Sequence, residues 1–372
     1  YFDIVYSSST ESHLSLYALS TGLFPLMDTT RSFPSAEEPP LTLATVLHAQ
    51  GFKTAVFTFE PKVWSSIHRS SEVDLYSDPT APERSWGVSP RARIQAKEVD
   101  RTNIDHFHNW IESLDSNQPI YAQFYLFSSH YPYNFPNAPE LPAGLSFLNY
   151  PIQHRDMMKT RYSNALSQVD QSIARILDLV ASHGREESSL IMITGDHGQM
   201  FHEHGRTGHG NLLYDEAIRV PWLVISPKMK KGSLCNGTPV SHIDIFPTVL
   251  SVLGSNLVHG LQGEPLIDQN FRPICPPSDR PVFFTSQAFE QEDGFISYPL
   301  KYTENYTTKG QRLFNLSSDP LERNNLVEIE PSQAKTLRSI LHKMQTRQLS
   351  YHSLPQEQRQ RYFPPPLPKT SN

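Results

Sequence analysis

The sequence predicts an α/β fold, with a mostly parallel sheet covered by helices on both faces and a small α+β subdomain after it. Two observations carry this. Apolar, strand-like runs alternate with helical patterns over the first two-thirds of the chain, and short strand signals replace that alternation past about residue 271. A chain of 372 residues has room for one large domain and an appendage, placed here at 1–270 and 271–350. Residues 351–372, with Gln, Arg and a Pro-Pro-Pro run, predict a loose tail.

The elements follow in order. Residues 1–6 read as a strand already under way. Residues 41–49 form a helical pattern closed by Gly51, and 53–57 a strand. Residues 103–114 predict a second helix, and 120–127 a strand rich in aromatic and apolar side chains. A long helix spans about 156–182, with Tyr162, Leu166, Val169, Ile173, Ile176 and Leu177 on one face and Gly184 as its stop. Residues 189–194 are an apolar run of the kind a strand buried on both faces requires, and 219–226 read as another buried strand. Ser241 caps a helix ending near Gly254. Strands near 282–285 and 313–316 and a helix near 332–347 complete the subdomain.

Hydrophobic content of 38% and charged content of 19% describe an ordinary globular chain. The net charge of -6, without a long Lys or Arg run, argues against nucleic acid as a partner. No apolar stretch is long enough to span a membrane. The natural N-terminus, with any targeting or anchoring segment, is expected upstream of Tyr1. Cys235 and Cys275 are too few for a zinc cage, and whether they pair stays open. Asn236-Gly-Thr, Asn305-Tyr-Thr and Asn315-Leu-Ser have the form of glycosylation sequons.

The chemistry concentrates at Thr194-Gly-Asp-His-Gly198 and the stretch from Phe201 to Gly210. Asp196 and His197 leave the carboxyl end of a buried strand, which is where open α/β sheets bind ligands. A carboxylate beside an imidazole, between glycines that let the backbone turn, suits a divalent metal. Oxygen and imidazole donors leave Ca, Mn, Mg and Zn all open. An isolated Asp-His pair would read as a solvated loop. Here His202, His204 and His209 fall in the same region, and a site is the better reading.

Residues 194–227 contain Gly-Asp-His-Gly, Glu-His-Gly, Gly-His-Gly, Leu-Tyr-Asp-Glu and Arg-Val-Pro in that order. Ser241-His-Ile-Asp-Ile-Phe-Pro-Thr248 follows, and Leu313-Phe-Asn-Leu-Ser-Ser-Asp-Pro320 comes later. This series resembles the sulfatase and alkaline-phosphatase superfamily. The resemblance implies a three-layer α/β/α sandwich and a metal-dependent hydrolase or transferase of phosphate or sulfate esters. Residues 7–25, ending in Thr-Gly-Leu-Phe-Pro, resemble the nucleophile segment of that family, and the registry from Gly22 places the nucleophile at Ser12. On local sequence alone Ser12 reads as the cap of a helix beginning near His13. Ser9 and Thr10 are the weaker alternatives.

Family sulfatases convert this residue to formylglycine within a motif that continues with a Pro or small residue and an Arg. Here Leu14 and Leu16 occupy those places. An unmodified hydroxyl is closer to the lipoteichoic-acid-synthase type of phosphotransferase, and phosphoester chemistry is the leading expectation. A sulfuric ester hydrolase with an atypical modification site and an inactive anion-binding member are the alternatives. His130, in His-Tyr-Pro-Tyr133, is similar to a family His that contacts the anionic oxygens of the substrate. His209 falls where relatives carry a Lys or His that can protonate the leaving oxygen. The implied partner is an anionic ester on a glycan, lipid or small molecule, met outside the cytoplasm. Relatives also carry an acidic metal ligand on a strand preceding the nucleophile by some tens of residues, which positions 1–12 cannot hold. The 372-residue chain alone is accordingly expected to bind metal weakly. Trp64, Asp170, Asp244 and Lys301 read as structural or surface residues, and His202 and His204 as supporting ones.

Overall fold

The computed structural model describes residues 1–26, 41–59, 73–79, 96–133, 135, 138–142, 144–255, 260–355, 358 and 365–369. Trp64 lies outside them. Along the chain come β1 (Val5–Tyr6), α1 (Ser12–Thr21), α2 (Leu43–Ala49), β2 (Lys53–Phe57) and β3 (Leu75–Ser77). Then follow α3 (Ala96–Glu112), β4 (Ile120–Phe124), α4 (Arg155–Ser182), β5 (Ile191–Thr194), β6 (Trp222–Ile225), β7 (Val240–Ser241) and α5 (Ile245–Val252). The last elements are β8 (Val282–Ser286), β9 (Glu292–Ser297), β10 (Leu300–Asn305), β11 (Gln311–Asn315) and α6 (Pro331–His352).

The chain divides into two compact units: residues 1–34, 190–200 and 208–372 form one, and residues 35–189 with 201–207 the other. In the first, β1 pairs in parallel with β7, Val5 opposite Val240 and Tyr6 opposite Ser241. β5 pairs antiparallel with β6. Phe2, Val5, Trp222, Val240 and Leu266 form the core beneath them. In the second unit β2 lies between β3 and β4, both in parallel register, and Phe57, Phe107 and Ile111 fill the space under α3.

β5 is only half-buried, contrary to the two-sided burial its apolar run suggests. Among the described residues it has a ladder on one edge, to β6, and β6 itself leaves Leu223 and Ile225 each 42% exposed. A strand with one neighbour keeps water on its open edge.

The C-terminal part is a four-stranded antiparallel meander, β8-β9-β10-β11. Ala334, Leu337, Leu341 and Met344 recur at helical spacing on α6 and pack against Phe283, Phe295, Tyr302 and Leu313. β9 and β10 carry no alternating apolar pattern, and the sequence did not announce them. Their polar side chains are buried because each finds a partner: Thr285 donates to Asp293 at 2.6 Å, and Arg312 pairs with Glu292.

Two sequence expectations change here, and one open question closes. Lys301 is fully buried rather than on the surface, with its ammonium 2.7 Å from Asp215 and 2.8 Å from Glu322. The described part of the tail is packed rather than loose: Leu367 joins the α6 core, and the Pro365 carbonyl accepts from Gln262 at 2.8 Å and Gln348 at 3.3 Å. Cys235 and Cys275, left open by the sequence, form a disulfide closing a separation of 40 residues. Such a loop contributes about 2–4 kcal/mol. Of the sequons, only Asn236 is exposed, whereas Asn305 is buried and donates to Glu290.

Removing the Lys301 charge leaves two carboxylates buried without their cation. Lys301→Met is therefore expected to lower unfolding free energy by about 3–5 kcal/mol in a denaturant titration.

Candidate active site

The loop between β1 and α1 is polar yet buried: Ser7, Ser8, Ser9 and Thr10 are 0% exposed and Glu11 is 6% exposed. Buried polar groups must find partners. Glu11 supplies most of them. One carboxylate oxygen accepts from the backbone of Gln287 at 2.7 Å and Ala288 at 2.6 Å; the other accepts from the hydroxyls of Ser9 and Thr10. The backbone of the loop adds Thr285 N to Ser8 O at 3.0 Å and Ser7 N to Ile218 O at 2.8 Å. Ser9 and Thr10, the alternative nucleophiles, thus point their hydroxyls at Glu11.

Ser12 does not cap α1. The cap position belongs to Glu11, and Ser12 is the first helical residue. Its Oγ lies 3.1 Å from Nε2 of His197. Leu14 and Leu16, which replace the family's small residue and Arg, are buried core residues of this helix. The helix ends at Gly22 in the left-handed region, φ +65°, where a Cβ would meet Leu261 at 3.1 Å.

The facing loop leaves β5. Gly198 donates its N–H to the Ala217 carbonyl at 2.8 Å, and a Cβ at that position would sit 2.1 Å from the Glu216 carbonyl oxygen. Only glycine fits. His197 Nδ1 is 2.9 Å from the Gly198 carbonyl, an obligatory acceptor, so this nitrogen carries the proton. In the neutral ring Nε2 is then the acceptor for the Ser12 hydroxyl. Asp196 Oδ2 lies 3.3 Å from the same nitrogen, and its Oδ1 accepts from the His197 backbone at 3.0 Å. His209 stands beside this group, its ring centroid 4.1 Å from that of His197, with Nδ1 2.8 Å from Gln199 Oε1.

Residue motifs alone did not single out His242, which ties the two loops together. It is fully buried; Ser8 N donates to its Nδ1 at 3.4 Å, and its Nε2 donates to the Gly195 carbonyl at 3.0 Å. Burial pushes its pKa down to about 4. Its position in the Ser241 capping box, with Asp244 bonded to Ser241 N and paired with Arg280 at 2.6 Å, was the available signal.

His130 belongs to the second unit, on the loop after β4. Its Nδ1 is 2.6 Å from the Tyr131 carbonyl, and its ring lies 4.6 Å from that of Phe127. Asp100 of α3 holds this loop by accepting from Phe127 N at 2.7 Å and Ser128 N at 2.9 Å; burial raises its pKa to about 6. His202 packs edge-on to Tyr150, and His204 adopts a positive φ in a one-turn helix. The structure therefore brings together Ser12, Asp196, His197 and His209 within one unit.

Ser12 Oγ and Asp196 Oδ2 lie 3.1 Å and 3.3 Å from His197 Nε2, separations open to donors that share one ion at about 2.0–2.5 Å. No third imidazole, carboxylate or thiolate among the described residues joins Asp196 and His197 within 4.8 Å. The donor set fits one face of a metal shell.

A serine hydroxyl at a helix start thus meets an Asp-His pair on a loop that leaves a strand. The chain belongs to the sulfatase family, whose model matches residues 1–255. It is similar to the ulvan-active sulfatase of Formosa agariphila, with 25% identity over 355 residues covering 84% of this chain and 65% of that one. The chain thus spans just under two-thirds of that relative. Among solved structures it resembles a 2-O GAG sulfatase, with a TM-score of 0.70 and 18% identity, covering 99% of this chain and 89% of that one. It also resembles the phosphonate monoester hydrolase of Agrobacterium radiobacter, with a TM-score of 0.65 and 16% identity, covering 94% and 90%. At such identities the structural likeness establishes the fold.

The neutral state of His242 sets a pH dependence. Its folded pKa of about 4 lies below the ordinary 6.5. As the pH falls through 6.5 the unfolded chain takes up a proton that the native imidazole refuses until about 4, so stability is full above that window and declines within it. The loss from this group is about 3 kcal/mol. In chelator-treated protein, denaturant midpoints measured between pH 7 and 4.5 are expected to fall more steeply for wild type than for His242→Gln.

Proposed function

We propose that the chain hydrolyses or transfers a phosphate ester, with the unmodified Ser12 hydroxyl as nucleophile. The observation that supports this best is the 3.1 Å contact between Ser12 Oγ and His197 Nε2. A hydroxyl attacks poorly unless its proton has somewhere to go, and a neutral imidazole nitrogen at hydrogen-bond distance provides a place. When the divalent ion on which sulfatase-family enzymes generally depend is bound, Asp196, His197 and Ser12 would hold it, and the ion instead of the imidazole would make the serine acidic. Such an ion would stabilise the serine alkoxide and the ester's charge. Ser12 Oγ forms a bond to phosphorus as the bond to the leaving alcohol breaks, and His209 gives that alcohol its proton. Water or an acceptor alcohol then cleaves the phosphoserine.

Phosphorus is favoured over sulfur because an ordinary serine sulfate has no second hydroxyl whose deprotonation could expel the sulfate. The second reading is a sulfuric ester hydrolase, supported by relatives named as an ulvan-active sulfatase and a 2-O GAG sulfatase. It would place a sulfated glycan in the site and require Ser12 to become formylglycine. Mass spectrometry of the peptide spanning Ser12 separates the two: unmodified or phosphorylated serine supports the first, formylglycine the second. Protein that is metal-free and inert to nitrophenyl phosphate, phosphodiester and sulfate substrates would instead indicate an anion-binding member. The Cys235–Cys275 disulfide supports an extracytoplasmic location, where such bonds persist.

Ser12→Ala is expected to lower turnover of the preferred ester by several orders of magnitude with little change in Tm. Near-wild-type activity would exclude Ser12 as nucleophile.

Asp196→Asn is expected to lose bound metal, whereas His209→Ala keeps the metal and loses rate. Elemental analysis beside single-turnover kinetics reads both, and equal metal in wild type and Asp196→Asn would refute the ligand assignment.

A further inference from the structure

We propose that His108, Glu112 and His183 form a binding site for a divalent transition metal, Zn2+ foremost, that shares no residue with the candidate active site. All three belong to the second unit. His108 and Glu112 are one turn apart on α3, so their side chains stand on the same face, with Nε2 of His108 3.4 Å from Oε1 of Glu112. His183 closes α4, and its ring meets that of His108 edge-on at 5.8 Å. One ligand atom from each of the three residues lies within 4.8 Å of the other two. Two imidazoles and one carboxylate are donors that favour Zn2+ and its neighbours over Ca2+ or Mg2+.

His183 is already oriented for this. Its Nδ1 is 2.7 Å from the Leu179 carbonyl, so that nitrogen donates and Nε2 is left as the basic one. A backbone carbonyl on the far nitrogen is how metal-binding imidazoles are commonly fixed in tautomer and direction. The helices add a field. Asp105 pairs with Arg175 at 3.2 Å, and further along both helices His108 meets His183, so α3 and α4 run in the same direction. Their carboxyl ends, the negative poles of the two dipoles, come together at the site and favour a cation.

The side chains of His108 and Glu112 are 46% and 58% exposed, so an ion can reach them. His108 also borders a hollow of about 300 Å³ lined in part by Asp105, Arg175, Asp178 and Ser182. Three protein donors leave a coordination position for water there. An exposed helix ion pair would account for His108 and Glu112, but it gives His183 no part. A bound ion uses all three and clamps two helix ends.

The test is a Zn2+ titration of the full chain in competition with a chromogenic chelator. Wild type is expected to bind one equivalent more than His108→Ala/His183→Ala, and Asp196→Asn is expected to retain that equivalent. Glu112→Gln, which keeps the side chain's shape and removes only the anionic donor, is expected to weaken it at least ~10-fold. Zn2+ should raise the Tm of Asp196→Asn, and leave unmoved that of Asp196→Asn carrying His108→Ala/His183→Ala as well. Equal stoichiometry and affinity in wild type and the double variant, with both folded by circular dichroism, would overturn the proposal.

Discussion

The candidate active site depends on the buried carboxylate of Glu11. The residue immediately before Ser12 accepts two backbone N–H groups from the segment after β8 and two hydroxyls from its own loop. Among the described residues that arrangement satisfies the buried carboxyl group through hydrogen bonds, and hydrogen bonds to a carboxylate are among the stronger ones. It also fixes the first turn of α1. With Glu11 pinned at the cap position, the direction of the Ser12 side chain follows from helical geometry and not from its own bonding.

A second brace sets the distance between the loops. His242 accepts from the β1 loop with one nitrogen and donates to the β5 loop with the other. Only a neutral imidazole can do both, and complete burial keeps it neutral. Glu11 and His242 therefore solve one problem in two ways. Polar loops that leave strands must be held where water cannot hold them, and each is held by a side chain able to bond on two sides.

Much of this was legible in the sequence. The Gly-Asp-His-Gly turn after an apolar run located the β5 loop, and its second glycine, Gly198, proves to be the position where a side chain would strike a neighbouring carbonyl. The registry from Gly22 pointed to Ser12 ahead of Ser9 and Thr10, and Ser12 is the one of the three whose hydroxyl meets His197, the other two bonding to Glu11. Glu11 was not legible: an acidic residue in a Ser/Thr-rich stretch gives no sign that its partners lie some 275 residues away. β9 and β10 escaped for a related reason. Periodicity reports burial only where burial is apolar, and these strands bury Glu292 and Lys301 in ion pairs and Asp293 against the Thr285 hydroxyl and the Gln345 amide.

The same limits apply to His197, the residue on which the proposed chemistry converges. Its Nδ1 is committed to the Gly198 carbonyl, so a single lone pair on Nε2 faces both the Ser12 hydroxyl and the Asp196 carboxylate. One lone pair serves one partner. As a base it takes the serine proton; as a ligand it faces an ion, and the serine then owes its acidity to that ion. The carboxylate is compatible with either role, since it stabilises an imidazolium and an ion alike. The sequence motif marks His197 as important without distinguishing base from ligand, whereas the tautomer imposed by one backbone carbonyl makes the two roles mutually exclusive.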